Sequence, residues 1–272
     1  MIQNDSHKVA VITGAGSGIG RALAERCAVE GMRVVLADIN PADLAVTEHM
    51  VRAAGVDVLS VRVDVSRAAE VAALAEQAMA MFGAVHLLFN NAGVMGAGAG
   101  APPWETALAD WEWVLGVNLW GVIHGIRAFT PLMLAQDIEC HIVNTASVVG
   151  LLSFNSYAPY HASKHAVVAL SENLQQALLQ QGAKVKVAVL CPGWANTRIM
   201  DVGRFDQGAH LAEETETVQR MRQAAAAGVL PSQVAECAFQ GIRAGRFYIF
   251  TGHDADERIR ERMERILNSA DL

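Results

Sequence analysis

The sequence predicts an α/β fold: one doubly wound parallel sheet of about seven strands with helices on both faces, forming a single domain over residues 1–272. Three observations predict it. Short β-branched runs alternate with longer helical patterns through the first two thirds of the chain. Those runs are near-continuously apolar rather than alternating, as expected of strands buried on both faces. A chain of 272 residues with 52% hydrophobic and 18% charged side chains can also build a sizeable core without disulfide or metal staples, which excludes intrinsic disorder.

In chain order, the strands are read at Lys8–Thr13, Arg33–Asp38, Val56–Val63, Val85–Asn90, His141–Ala146 and Lys184–Leu190, with an edge strand at Phe247–Thr251. Helical stretches lie between them at Arg21–Glu30, Pro41–Ala54, Arg67–Phe82, an interrupted Trp104–Ala135, and Tyr157–Gln181. Pro41 follows Asn40, a cap and then a proline at the first helical position. Val94–Ala101, followed by Pro102 and Pro103, is a loop too poor in side chains to make core. The polar stretch 198–228 reads as one or two short helices leaving the sheet, within a substrate lid over about 194–228 that ligand orders. Ile259, Met263, Ile266 and Leu267 fall at helical spacing in an Arg/Glu-rich segment, which predicts a docked amphipathic helix over about 254–268.

Composition narrows the function classes. A net charge of −7 argues against a nucleic-acid partner. No apolar run approaches membrane-spanning length. Residues 1–8 lack the basic start and apolar stretch of a secretion signal, and Cys27, Cys140, Cys191 and Cys237 are scattered. The expectation is a cytoplasmic protein with reduced thiols.

Thr13-Gly14-Ala15-Gly16-Ser17-Gly18-Ile19-Gly20 follows the first strand and opens the first helix. Glycines there let the backbone approach a pyrophosphate, and the helix N-terminus supplies free N–H donors. The spacing is T-G-x-x-x-G-x-G, with Ile19 where a G-x-G-x-x-G pattern would place glycine. Asp38 ends the second strand about 20 residues on, where a carboxylate accepts hydrogen bonds from a ribose diol and repels a 2′-phosphate. The expected cofactor is therefore NAD, and Ser17, which offers no cation to a second phosphate, agrees. Asp64, with Val65 beside it, ends the third strand; its carboxylate meets the adenine amino group or caps the next helix.

Tyr160 and Lys164 are four apart on one face of a helical pattern. A phenol titrates at about 10, so a tyrosine acting as base near neutrality needs its anion stabilised, by an ammonium and by an oxidised nicotinamide. Ser147 lies just past the fifth strand, at the end of the sheet where such folds bind ligands. Asn90-Asn91-Ala92-Gly93 ends the fourth strand, its amides placed to satisfy backbone groups beside the cofactor. Asn118 sits inside a helical region; it marks a local kink or holds a water next to Lys164.

These motifs, in this order, resemble the short-chain dehydrogenase/reductase family over roughly residues 8 to 250. The resemblance implies a Rossmann-like fold and a catalytic set of Asn118, Ser147, Tyr160 and Lys164. In that set Tyr160 is the general acid/base, Lys164 lowers its pKa and binds ribose, Ser147 polarises the carbonyl, and Asn118 supports a water-linked relay. It further implies cofactor contacts from Gly14, Ser17, Gly18, Ile19, Gly20, Asp38, Asp64, Val65, Asn91, Ala92 and Gly93. Tyr160, Lys164, Pro192, Gly193 and Thr197 complete that set, with Thr197 at the nicotinamide carboxamide. A homodimer or homotetramer on paired long helices is also implied.

His161 and His165 share one helix face, yet no third ligand or H-E-x-x-H pattern accompanies them, so no metal is assigned. The substrate pocket is placed at Met95, Ser147, Val149, Phe154, Tyr160 and Trp194. The expected reaction is NAD-dependent oxidation of a secondary alcohol carrying an aromatic or alicyclic group. Two alternatives stand beside it. One is a 3-oxoacyl carrier-protein reductase, which Asp38 and the lack of a basic docking surface disfavour. The other is a non-catalytic dinucleotide sensor on the same fold.

Overall fold

A computed structural model describes residues 7–96, 101–154, 156–201 and 216–268. Seven parallel strands form one sheet: β1 (Val9–Thr13), β2 (Arg33–Asp38), β3 (Val58–Arg62), β4 (Leu87–Asn90), β5 (Cys140–Thr145), β6 (Val185–Cys191) and β7 (Tyr248–Phe250). Their order is β3-β2-β1-β4-β5-β6-β7. The order reverses between β1 and β4, and a crevice opens there at the carboxyl ends of the strands.

The helices are α1 (Gly18–Val29), α2 (Pro41–Ala53), α3 (Ala68–Phe82), α4 (Leu108–Leu115), α5 (Gly121–Ala135), α6 (Ala158–Gln180), α7 (Glu216–Ala226), α8 (Pro231–Arg243) and α9 (Asp256–Leu267). Successive strand residues point to opposite faces. Ala10, Ile12, Val34 and Leu36 accordingly pack with Leu23 and Cys27 of α1 and with Val234 and Phe239 of α8. Val9, Val11, Val35 and Leu88 pack on the other face with Leu74 of α3 and with Phe129 and Met133 of α5.

The interruption expected within Trp104–Ala135 is a π-turn at Gly116–Trp120 that joins α4 to α5. The helical path starts at Leu108 rather than Trp104, because Glu105 and Thr106 donate to the Pro102 carbonyl in a turn. The sequence pattern assigns no element to 229–246, yet α8 lies there. Pro231 opens it, and Val234, Ala235, Ala238, Phe239 and Ile242 form its buried face.

One expectation is corrected. α9 forms where the spacing places it, but none of its residues is buried, and Met263, Ile266 and Leu267 face outward. The helix meets the body through arginines instead: Arg262 donates to the Leu151 carbonyl at 3.4 Å, and Arg258 stacks on Phe154. Apolar spacing shows which face a helix would bury, not that this chain supplies the cover. Among the described residues, no helix is long and apolar enough to cross a membrane.

Candidate active site

The glycine turn is fixed from two sides. The Thr13 hydroxyl accepts the backbone N–H groups of Asn91 (2.9 Å) and Ala92 (3.1 Å), and the Asn91 amide donates to the Thr13 carbonyl at 3.0 Å. This joins the ends of β1 and β4 at the switch point. Asn90 departs from the expected backbone role: its amide donates sideways to Asn144 at 2.8 Å, within the sheet. A Cβ on Gly20 would lie 2.0 Å from the Gly14 carbonyl oxygen, so only glycine permits this closeness. Gly18, at φ +54°, leaves 3.1 Å between its absent Cβ and the Thr197 methyl.

Helix starts α1 and α2 differ in a way that matters. Asn40 caps α2 by accepting from Ala42 and Asp43, whereas Ser17 puts no side-chain hydrogen bond on α1. The first N–H donors of α1 thus keep their capacity for an anion. The Asp38 carboxylate accepts from Gly16 N–H at 2.8 Å and from Asn40 N–H at 2.9 Å, and it lines the crevice. Asp64 also lines it and caps locally, accepting from the Ser66 N–H and hydroxyl; the neighbouring Val65 carbonyl meets His124 Nδ1 at 2.9 Å. Opposite, Arg198 pairs with Asp43 at 2.7 Å, and Gly193 N–H donates to the Thr251 hydroxyl.

The crevice continues as one cavity of about 530 Å³ from Asp38 to Phe154. Gly14, Ser17, Gly18, Ile19, Gly20, Asn91, Ala92, Gly93, Pro192 and Thr197 line its first arm. Ser147, Tyr160 and Lys164 line its middle, and Met95, Val149, Phe154 and Trp194 its far arm, so every cofactor and pocket residue expected from the sequence meets this one space. Asn118 lies behind it, fully buried in the π-turn. Of the expected lid, residues 202–215 lie outside the described residues, as do residues 97–100 of the glycine-alanine loop; Met221 of α7 lines the far arm. Leu152 and Tyr157 also line it, as does Trp113, which was not expected. Tyr157 is held at φ 38°, a left-handed conformation rare for an aromatic residue, at the start of α6. Only its backbone angle marks it, which sequence does not display.

Tyr160 is buried, with Ser147 within hydrogen-bond reach of its hydroxyl. Ser147 also donates to the Pro192 carbonyl at 3.2 Å. The Lys164 ammonium lies 5.5 Å from the Tyr160 ring centre and donates to the Thr145 carbonyl at 2.8 Å. Burial pushes the Tyr160 phenol up to about 12, against the opposing hydrogen bond from Ser147. Burial likewise lowers Lys164 to about 8. In the cofactor-free protein desolvation thus outweighs the Ser147 hydrogen bond, and the positive charge of an oxidised nicotinamide, which the sequence reading also calls on, is not part of that balance.

Asn118 sits in the kink that one of its sequence readings expects. The π-turn is the kink, and the side chain clamps the Val94 backbone, accepting its N–H at 2.8 Å and donating to its carbonyl at 2.9 Å. Its other N–H goes to Ser163 at 3.1 Å, and Ser163 donates to the Tyr160 carbonyl at 2.7 Å. Ser163 is a contributor the sequence reading passed over, although it directly precedes Lys164. The absent Cβ of Gly93 leaves a gap flanked by Asn118 Oδ1 at 3.4 Å and Lys164 Nζ at 3.5 Å. His161 and His165 turn their Nδ1 atoms to the Leu152 and His161 carbonyls rather than to each other.

The buried lysine carries a testable cost. Its ordinary value is 10.5 and its folded value about 8, so between those pH values the unfolded chain holds a proton the folded chain lacks. Stability of the cofactor-free protein should rise with pH across that window, with the full penalty present below it. Lys164→Met is expected to melt higher than wild type near neutral pH, by on the order of 1–3 kcal/mol after losing the Thr145 bond. Thermal unfolding at several pH values checks this: the advantage should shrink as pH climbs, and a variant weaker by a constant amount would contradict it.

Comparison with known proteins places this geometry. The short chain dehydrogenase family profile matches residues 8–207. A 1-deoxy-11-beta-hydroxypentalenate dehydrogenase of Streptomyces avermitilis is 36% identical over 92% of this chain and 86% of its own length. A CLA biosynthesis dehydrogenase/reductase of Lactiplantibacillus plantarum is 31% identical over 96% of this chain and 93% of its own. A solved short chain dehydrogenase/reductase from Burkholderia phymatum, in complex with NAD, superposes with a TM-score of 0.94 at 46% identity, covering 99% of this chain and 98% of that one. A match of this extent, on a sheet of this order, makes the chain a member of the short-chain dehydrogenase/reductase family.

Proposed function

We propose that the protein is an NAD-dependent oxidoreductase that interconverts a secondary alcohol and a ketone, oxidising a substrate with a bulky apolar, aromatic or alicyclic group. The observation that carries this reading is the convergence of Tyr160, Ser147 and Lys164 on the cavity that also runs along the glycine turn to Asp38. The NAD held by the Burkholderia structure and the hydroxyl substrate in the name of the Streptomyces relative support it.

The residues fit a dinucleotide. Gly14 to Gly20 form a cradle that a Cβ would fill, the α1 N-terminus keeps its donors, and Asp38 stands where a ribose diol would meet it. When bound, an oxidised nicotinamide supplies the hydride acceptor and a positive charge beside the phenol. Ser147 donates a hydrogen bond to the substrate oxygen and holds it against Tyr160. Tyr160 takes the alcohol proton at its hydroxyl oxygen and returns it in the reverse direction. Lys164 adds a second positive charge at the Tyr160 ring, and its ammonium binds the ribose. Asn118 keeps the Val94 backbone in place and, with Gly93, leaves room for a water that carries the proton onward. Met95, Phe154 and Trp194 supply apolar and aromatic surface for the rest of the substrate.

Exposed Trp120 and Leu179, on the long helical segments, support assembly as a homodimer or homotetramer. The four free thiols support a reducing, cytoplasmic setting. The direct test of the activity is a panel of secondary alcohols with NAD, followed by formation of reduced nicotinamide. No turnover across aromatic, alicyclic and aliphatic members would reject it.

Cofactor choice rests on Asp38. Asp38→Ser removes the charge that repels a 2′-phosphate and also the acceptor for Gly16 N–H. The variant is expected to shift kcat/KM from NAD toward NADP by about tenfold or more, mostly through KM. An unchanged ratio, or a wild type that prefers NADP, would remove Asp38 from this role.

A further inference from the structure

The far arm of the cavity ends at a cation that the reaction does not use. Arg258, in the first turn of α9, lines the cavity with its guanidinium 5.2 Å from the centre of the Phe154 ring. Phe154 in turn meets His161 edge-on at 4.6 Å, one residue from Tyr160. Arg258, Phe154 and His161 thus form a chain of contacts along the lining of this cavity. Arg258 has no ion pair or hydrogen bond with any described residue.

Among the described residues, no carboxylate pairs with it. Asp254 also lines the cavity and is one turn away, but its carboxylate lies against Gly252, 3.7 Å from where a Cβ would stand. Burial lowers the pKa of His161, which lies edge-on to Phe154. Lys164 is engaged by the Thr145 carbonyl. At the opposite end the lining is acidic, with Asp38, Asp43 and Asp64, and Arg198 there is paired with Asp43. In a chain of net charge −7, the described lining is therefore polarised: carboxylates at the glycine turn and, beyond the substrate pocket, a guanidinium without an ion pair among the described residues.

We propose that Arg258 is a specificity-determining residue that anchors a carboxylate at the far end of an otherwise apolar hydroxy-acid or keto-acid substrate. The inference rests on the alcohol–ketone reading above and names its substrate class. A planar guanidinium forks onto a planar carboxylate with two parallel hydrogen bonds, while its other face stays on Phe154. One cation with Asp254 nearby suits a monoanion; a doubly charged phosphate monoester would face a single positive partner. Apolar surface between Tyr160 and Phe154 would carry the intervening chain or ring.

The test compares hydroxyalkanoic acids, with the hydroxyl next to the terminal methyl and chains of six to twelve carbons, against their methyl esters. Wild type is expected to favour the acid of the best-fitting length by about tenfold in kcat/KM, and added salt should erode that preference. In Arg258→Met the ratio should fall to about one, with the acid losing far more than the ester. Arg258→Lys should keep part of it, and Asp254→Asn should raise it. An acid no better than its ester in wild type, or equal losses of both in Arg258→Met, would overturn the proposal and leave Arg258 a structural stack on Phe154. Calorimetric titration with decanoate gives a readout free of turnover. Binding by wild type that Arg258→Met abolishes supports the anchor even if no alcohol is oxidised. Equal binding by both proteins, or none by either, counts against the anchor even if neutral alcohols are.

Discussion

Tyr160→Phe is expected to lower kcat by roughly 10²–10⁴-fold while leaving the fold and NAD affinity close to those of wild type. The substitution deletes one oxygen from a buried ring that packs with Val94, Met95 and Val114, so the packing it leaves is nearly unchanged. The lost atom is the one within hydrogen-bond reach of Ser147, at the middle of the cavity. Steady-state kinetics with the best alcohol from the panel, together with NAD titration by fluorescence, separate the two effects. A drop confined to KM, or a variant that still turns over at wild-type rate, would assign the chemistry to another group. Activity retained in full would revive the reading of this chain as a dinucleotide sensor.

The second large effect is expected at Gly20. An alanine methyl would stand 2.0 Å from the Gly14 carbonyl oxygen and 2.7 Å from the Asn91 amide nitrogen. Neither neighbour can yield easily. The carbonyl belongs to the turn itself, and Asn91 is tied to Thr13. Gly20→Ala should therefore push the turn away from α1, costing about 1–3 kcal/mol of stability and weakening NAD binding by about a hundredfold. Calorimetry of unfolding and of NAD binding measures both. Normal affinity in this variant would mean that the diphosphate does not sit over this turn.

Much of this architecture could be read from residue order. Runs such as Val9–Ile12 and Arg33–Asp38 are apolar on both faces, and only a covered parallel sheet uses such strands. The glycine turn, the Tyr160–Lys164 spacing and Ser147 after β5 place the site because strand ends in this topology share one crevice. What escaped has physical causes. α8 carries a clear buried face, but its Pro231 start follows a polar excursion and its short edge-strand neighbour gives little contrast. α9 shows the reverse: its stripe is legible, but spacing does not reveal whether the same chain covers it. Ser163 and Tyr157 act through a hydrogen bond and a backbone angle, neither of which residue type alone encodes. The direction of the Tyr160 shift depends on burial as much as on charge, and spacing reports only the charge.

In the free protein the phenol at 160 stays protonated well past neutrality, since burial raises it to about 12. For it to exchange a proton with an alcohol, a bound oxidised dinucleotide must stabilise its anion. The measurement is tyrosinate absorbance against pH, wild type minus Tyr160→Phe, with and without NAD. The account predicts that NAD moves the midpoint of this difference signal down by about two pH units or more. Midpoints that coincide with and without NAD would contradict it.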